Sequence, residues 1–207
     1  PSPASRGRIF DHRKIRADRL APWGDHRLMT RPNRLLLDRA PSPIGEILIV
    51  TDETGLLRAV DFHDFEPRLR RLLRLHYGAL PLEIGPAPPE TKAAFARYFD
   101  GDIAALSALA WDTGGTPFQR AVWRALAAIP PGQTVTYSEL ARRVERPIAI
   151  RAVGAANGAN PLSLVAPCHR VIGMNGALTG YAGGIERKRW LLAHEGVLQA
   201  SPTPLAT

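Results

Sequence analysis

The sequence contains a single cysteine, Cys168, in 207 residues. One thiol excludes an internal disulfide and a zinc site built from several cysteines, so a reducing compartment, the cytoplasm, is the expected location. The six histidines show no spacing typical of metal ligands, and neither a metal nor a cofactor is expected. The first thirty residues lack the apolar core of a signal peptide, and no run approaches the roughly 18 apolar residues of a membrane span. No membrane partner is therefore expected.

Acidic residues are scarce at both ends of the chain, so the formal charge of +8 is unevenly distributed. Residues 1–40 carry ten Lys or Arg against four Asp or Glu, residues 41–116 seven against eleven, and residues 117–207 ten against four. A basic surface is typical of a polyanion binder, although many basic faces are simply solvated. The C-terminal part thus combines basic charge with the only thiol.

Changes of pattern divide the chain into four parts. Residues 1–33 are rich in Arg, Asp and Pro without periodicity, which predicts a basic, poorly ordered extension. Residues 34–113 predict an N-terminal domain with its linker, and residues 114–198 predict a second domain. Residues 199–207 form a tail.

The N-terminal domain shows a strand pattern followed by two helix patterns. Turn residues at 52–55 predict a hairpin, and Pro67 with Gly78 as a stop predicts a helix packed on the sheet. Prolines between 81 and 89 predict a linker, and residues 90–98 predict a short amphipathic helix. No chemistry is visible in this half. Three apolar runs predict the strands: residues 35–37, 46–51 and 56–62.

The second domain begins with two capping boxes. Thr116 with Gln119 predicts the first helix, and Thr136 with Glu139 predicts the second. After a break at Pro147, a third helix is predicted over residues 148–158, so the last two helices form a helix-turn-helix pattern. The third helix is mostly Ala and Gly. This composition permits either close approach to a partner or tight packing in the helix's own core.

Cys168 stands directly before His169, so a nucleophile and a base are adjacent. The thiolate is the reactive form, and a free thiol with a pKa of about 8.5 is mostly protonated at neutral pH. The apolar neighbours also allow the alternative that Cys168 is a small core residue. A strand-like run over residues 162–166 precedes it. A glycine-rich loop follows, and then a closing helix over residues 185–194.

Four motifs, in their order and spacing, resemble the constitutive bacterial O6-alkylguanine-DNA alkyltransferases, or methylated-DNA:protein-cysteine methyltransferases. The resemblance is strong over residues 116–197 and looser over residues 35–113. It implies an α/β ribonuclease-H-like N-terminal domain and a mainly α, winged helix-turn-helix-like C-terminal domain that binds DNA and holds the active site. The motifs are Asn157-Gly158-Ala159-Asn160-Pro161, Pro167-Cys168-His169-Arg170-Val171-Ile172-Gly173, Gly180-Tyr181-Ala182-Gly183-Gly184 and Leu191-Leu192-Ala193-His194-Glu195-Gly196.

The resemblance also implies catalytic roles. Cys168 would accept the alkyl group from O6 of guanine, with O4 of thymine as a further candidate. His169 would act as base through a water, and Glu195 would orient its imidazole. Asn160 would tie the active-site turn together, and Tyr137 would donate to the guanine ring.

The substrate pocket follows from the same resemblance. The carbonyls of Cys168 and Val171 would accept from the exocyclic amine, and the backbone N–H of Ala182 would donate to the departing oxygen. Tyr181 and Gly183 would shape the pocket wall. Because the thioether is stable, each molecule should act once, as a self-inactivating repair enzyme.

The partner implied is double-stranded DNA containing alkylated bases, bound by a monomer, with the damaged base turned out through the minor groove. Arg151 would fill the space that the base leaves, whereas Arg170 is favoured as structural over contact with the lesion. A lesion-binding sensor or regulator is the alternative, but such sensors lack the cysteine, and a thiol hydrolase lacks an oxyanion-hole signature. The implied DNA-facing residues beside Arg151 are Ala149, Ala152, Gly154 and Ala155.

Overall fold

The computed structural model describes residues 31–199. The expected extension over residues 1–33 lies outside this range except for its last three residues, as does the expected tail except for residue 199. No helix within residues 31–199 is long and apolar enough to cross a membrane. The helices are α1 Glu66–Tyr77, α2 Pro89–Phe99, α3 Pro117–Ala127, α4 Tyr137–Arg143, α5 Ile150–Gly158 and α6 Ile185–His194. The strands are β1 Leu35–Ala40, β2 Ile47–Asp52, β3 Leu57–Phe62, β4 Leu82–Ile84, β5 Val135–Thr136 and β6 Val171–Ile172.

The first four strands form one sheet in the order β3-β2-β1-β4. The predicted hairpin is confirmed: β2 and β3 pair antiparallel, and Asp52 Oδ1 accepts from the backbone N–H groups of Thr54 and Leu56. Gly55 occupies the left-handed region at φ 84°. The linker predicted over residues 81–89 is wrong in part, because β4 lies within it and pairs parallel with β1. The three residues of β4 are too few to show the alternation of apolar and polar residues that is typical of a strand.

Both faces of this sheet are covered, which explains the continuous apolar run over residues 47–50 of β2. Leu48 and Val50 pack with α1 residues such as Leu69, whereas Ile47 and Ile49 belong to a larger core shared with the C-terminal helices. Successive side chains of a strand point to opposite faces, so two covered faces favour apolar residues at successive positions. Because the larger core contains residues from both sides of position 114, the domain boundary there stays a prediction.

The C-terminal helices follow the predicted order. At α3 the full capping box between Thr116 and Gln119 is present, and Thr136 Oγ1 accepts from Glu139 N at the start of α4. The third helix, α5, begins two residues later than predicted. Residues 146–149 form a turn closed by the hydrogen bond from the N–H of Ala149 to the Arg146 carbonyl, which leaves Ile148 outside the helix.

The apolar run over residues 162–166 is buried but is not a strand, so that prediction is wrong. Leu162 forms only an isolated bridge to Val60 of β3. Local turns then satisfy the backbone, since Ala166 N donates to Leu162 O and Cys168 N donates to Ala166 O. Leu164 has φ 73°, a conformation incompatible with a strand. The apolar composition reflects burial inside the fold, which periodicity cannot distinguish from a core strand.

The capping box of α3 gives a test of local stability. Replacing Thr116 with Ala removes the side-chain acceptor for the Gln119 N–H and should lower the free energy of unfolding by about 1 kcal/mol. Thr116→Ser, which keeps the hydroxyl, should unfold at the same urea concentration as the wild type. Equal midpoints for the Ala variant and the wild type would contradict a stabilising role for this cap.

Candidate active site

Two short elements position the residues around Cys168. A one-turn 3-10 helix, Cys168–Arg170, leads directly into β6. In the small second sheet β6 pairs in parallel with β5, so that Val171 lies opposite Val135. Tyr137 follows β5 without a gap and begins α4. The segments around Tyr137 and around Cys168, which are 31 positions apart in sequence, therefore lie side by side.

Asn160 ties the turn before Cys168 together. Its Nδ2 donates to the Ala166 carbonyl at 2.6 Å, and its Oδ1 accepts from the Leu162 N–H at 3.0 Å. Cys168 itself is only 3% exposed. Burial raises the pKa of the Cys168 thiol, and a hydrogen bond from the Asn160 side chain opposes this rise. The thiol is thus protonated at neutral pH and reacts only when a neighbouring group accepts its proton.

His169 and Glu195 form the centre of a buried polar network. Glu195 Oε1 lies 3.0 Å from His169 Nε2 and accepts from Tyr98 Oη at 2.7 Å. Arg170 donates through Nε to Oε2 and through Nη2 to Oε1, both at 2.8 Å. A carboxylate with this many donors is a fully satisfied anion. Glu195 therefore holds its charge without needing water.

The ionisation states follow from these contacts. Burial alone would raise the pKa of the Glu195 carboxyl, but the electrostatic interaction and hydrogen bond with His169, followed by the hydrogen bonds and charge of Arg170, lower it well below its usual value. Burial lowers the pKa of His169, and the Arg170 and Lys188 cations add to this effect against the opposing charge of Glu195. His169 is therefore neutral at pH 7. Since the ionised Glu195 can only accept, the imidazole hydrogen is on Nε2 and the lone pair is on Nδ1.

The glycine-rich loop brings Tyr181 against His169. Their rings meet edge to face with centroids 6.3 Å apart. Neither His169 Nδ1 nor Tyr181 Oη has a hydrogen-bond partner within the described part of the chain, although both atoms are buried. A Cβ on Gly183 would come within 2.7 Å of the Tyr181 ring and 2.8 Å of the Phe62 ring, so only glycine fits there. The neighbouring Ala182 is half-buried.

Lys188 enters the same region from α6. Its side chain is fully buried, and Nζ donates to the carbonyls of Val171 at 2.6 Å and Thr179 at 2.7 Å. Burial lowers the pKa of Lys188 to about 8, against the opposing influence of Cys168. The Cys168 carbonyl likewise accepts one hydrogen bond, from the Val171 N–H. The carbonyls of Cys168 and Val171 are the ones expected to bind the guanine amine.

The surroundings of the two sides of helix α5 explain why its residues are small. One side, with Val153, packs in the core. The other side is open, with Arg151 exposed at its N-terminal end. A Cβ on Gly154 would lie 3.9 Å from the Tyr137 ring, so Tyr137 packs beside this helix. Small residues therefore serve both tight packing and an open flat face. The remaining expected DNA-facing residues are exposed or half-buried: Ala149, Ala152 and Ala155.

Known proteins share this arrangement of sequence and fold. A family model described as 6-O-methylguanine DNA methyltransferase, DNA binding domain, matches residues 117–197. The chain is 52% identical over 167 residues to the methylated-DNA–protein-cysteine methyltransferase of Salmonella typhimurium, covering 80% of this chain and 98% of that protein. This chain belongs to the methylated-DNA–protein-cysteine methyltransferase family.

Another relative and a solved structure extend the similarity. The methylated-DNA–protein-cysteine methyltransferase of Methanosarcina acetivorans is 40% identical over 162 residues, covering 75% of this chain and 94% of that protein. The crystal structure of Mycobacterium tuberculosis OGT in complex with DNA is similar at a TM-score of 0.64 and 35% identity, covering 78% of this chain and 92% of that one. The family resemblance inferred from the four motifs is confirmed.

This family member also holds site residues that sequence reasoning missed. Tyr98 reaches Glu195 from α2, in the half where no chemistry was expected. Lys188 stands within a charged run of α6, and its complete burial distinguishes it from the exposed Glu186 and Arg189. The structural role favoured for Arg170 agrees with its contacts, which include the Ile129 carbonyl at 2.6 Å. Within residues 31–199, no cluster of His, Cys, Asp or Glu side chains could hold a metal ion.

The lowered pKa of Glu195 predicts how its contribution to stability depends on pH. A carboxyl whose folded pKa lies below its unfolded value of about 4.5 stabilises the fold above that pH and loses this contribution as the pH falls toward the folded pKa. The unfolding free energy of wild type minus that of Glu195→Gln should therefore be larger at pH 6 than at pH 3. It should shrink progressively below about 4.5. Urea titrations at each pH measure both, and a difference that stays constant down to pH 3 would contradict the lowered pKa.

Proposed function

We propose that this chain repairs alkylated DNA by transferring the alkyl group from O6 of guanine to the Cys168 thiol. The observation that carries the proposal is the buried contact between Glu195 and His169, the residue directly after the only cysteine in the sequence. Glu195 fixes the hydrogen on Nε2, which leaves Nδ1 free to accept a proton. Membership of the methyltransferase family gives the reaction and its substrate class.

The transfer starts with removal of the thiol proton. His169 Nδ1, which has no partner among residues 31–199, accepts the Cys168 proton through a water molecule. The thiolate attacks the alkyl carbon, so that a carbon–sulfur bond forms and the carbon–oxygen bond breaks with its electrons on the guanine oxygen. Glu195 stabilises the imidazolium formed. The proton passes back to the departing guanine, which leaves as the normal base.

Negative charge on the departing guanine requires hydrogen-bond donors. Tyr137, beside β6, donates to the ring, and the Ala182 N–H donates to the oxygen. The Cys168 and Val171 carbonyls accept from the exocyclic amine. Tyr181 and Gly183 form the wall, and the close contact of Gly183 with the Tyr181 ring sets the position of that wall.

Binding of the duplex is assigned to α4 and α5 as a winged helix-turn-helix-like unit, packed against an N-terminal domain of ribonuclease-H-like type. The open face of α5 suits close approach to the minor groove, because side chains from Ala152 to Gly158 on that face are no larger than a methyl group. Arg151 stands at the exposed end and fills the space left by the everted base. Eversion costs a few kcal/mol, less for a mispaired base.

The protein acts once per molecule, because the thioether is stable and Cys168 is the only thiol in the sequence. A sensor that binds lesions without transfer is disfavoured, since a sensor needs neither an acceptor thiol nor a base fixed beside it. A thiol hydrolase finds no support in the family comparison.

Intact-mass spectrometry tests the transfer. After incubation with duplex DNA containing O6-methylguanine, the wild type should gain the mass of one methyl group, and peptide mapping should place it on Cys168. Cys168→Ala should bind the same duplex without any gain in mass. Wild-type protein that binds the lesion and remains unmodified would instead identify a sensor.

The role of Arg151 predicts a difference between two substrates. Arg151→Ala should slow transfer from duplex DNA at least tenfold more than transfer from free O6-alkylguanine, because only the duplex requires eversion. Arg97→Ala removes an exposed arginine from α2 and serves as the control with the same charge change. Equal losses on both substrates would argue against a function of Arg151 in base flipping.

A further inference from the structure

Two isoleucines protrude beside Arg151 at the tip of the unit formed by α4 and α5. Ile148 is 97% exposed and Ile150 is 41% exposed. They flank Ala149, the N-cap residue of α5, and Ile150 immediately precedes Arg151. Among residues 31–199 only six large hydrophobic side chains are exposed, and two of these lie within three positions of each other here. Scattered exposed apolar residues need no explanation, but an adjacent pair at a functional edge does.

The surroundings of this pair are basic and otherwise flat. Beyond Arg151 the open face of α5 carries only small residues, so the exposed apolar bulk at this end of the helix comes from Ile150 and from Ile148 in the preceding turn. Two acidic residues, Glu139 and Glu145, lie nearby in the sequence. Glu139 is paired with Arg143 at 3.5 Å. The positive charge around the pair favours binding of a polyanion. The exposed apolar side chains favour contact with the less polar interior of that polyanion. The exposed arginines around the pair are Arg142, Arg143, Arg146 and Arg151.

From this placement we propose that Ile148 and Ile150 form an apolar wedge that packs into the minor groove of duplex DNA beside Arg151. The inference rests on the proposed function. Proteins that bend DNA through the minor groove insert apolar side chains between base steps, which partly unstacks them. Ile148 makes no packing contribution to the fold that would be lost on insertion. The wedge opens the base step next to the lesion, and Arg151 then holds the space that the base leaves.

The wedge makes a prediction that separates apolar from ionic contacts. Ile148→Ser and Ile150→Ser should each weaken binding to lesion-containing duplex about fivefold to tenfold, as expected for part of an isoleucine side chain returned to water. The slope of log affinity against log salt concentration should not change, because no counterion release is affected. Arg146→Ala should reduce that slope by about one. Leu75→Ser and Ile84→Ser alter exposed apolar residues elsewhere and should bind as the wild type does.

A second measurement reports on unstacking. A duplex with 2-aminopurine next to the lesion should brighten when wild-type protein binds, and this increase should be at least halved by Ile148→Ser at saturating protein. Transfer from duplex should fall at least fivefold more than transfer from the free base. Thermal unfolding of the variant should match the wild type, since the side chain is exposed.

Three results would overturn the proposal. Wild-type affinity and fluorescence in both serine variants would exclude the wedge while leaving the alkyl transfer intact. A wild-type dimer in sedimentation that Ile148→Ser dissociates would assign the pair to an interface between copies of the chain. If the wild type neither binds lesion duplex nor gains the alkyl group, the proposed function fails and the wedge fails with it.

Discussion

The buried contact between Arg170 and Glu195 is the constraint on which the active site depends. A carboxylate inside the fold is stable as an anion only if its oxygens are fully hydrogen-bonded, and Arg170 supplies two of the donors at 2.8 Å. Because Glu195 stays ionised, it accepts from His169 Nε2 and fixes the imidazole tautomer. The same cation lowers the pKa of His169 by adding to the effect of burial. One ion pair thus yields a neutral base next to a protonated thiol.

The N-terminal half contributes to this site although it supplies no group that reacts. Tyr98 donates to Glu195 from α2, and burial raises the pKa of its hydroxyl so that the hydrogen remains in place. Arg68 of α1 donates to the carbonyls of Gly158 and Asn160, at the end of α5. Arg187 of α6 stacks over the Phe62 ring of β3 at 4.4 Å. The sheet and its helices therefore fix the positions of α5 and of the turn that carries Cys168.

The ends of many helices and strands could be predicted from the sequence, because short-range interactions determine them. Capping residues such as Thr116 and turn residues such as Gly55 define element ends through bonds between near neighbours, so their sequence signals are strong. Cys168 and His169 are adjacent, and the resemblance of their motif to a known family predicts roles for Asn160 and Glu195. The strand β4 escaped prediction because it is stabilised by pairing with β1, a contact that leaves no local pattern. Tyr98 and Lys188 were not predicted for the same reason: their burial and their hydrogen-bond partners depend on how the whole chain folds, not on their sequence neighbours.

The central claim is that His169 is neutral at pH 7, with its hydrogen on Nε2 and its lone pair on Nδ1. Long-range nitrogen NMR of protein labelled with nitrogen-15 in its histidines measures this directly, with His169 assigned by comparison with a His169→Gln variant. The account predicts one protonated nitrogen, identified as Nε2, and one unprotonated nitrogen, Nδ1, from pH 6 to 8. A hydrogen on Nδ1 with a bare Nε2, or a doubly protonated ring at pH 7, would contradict it.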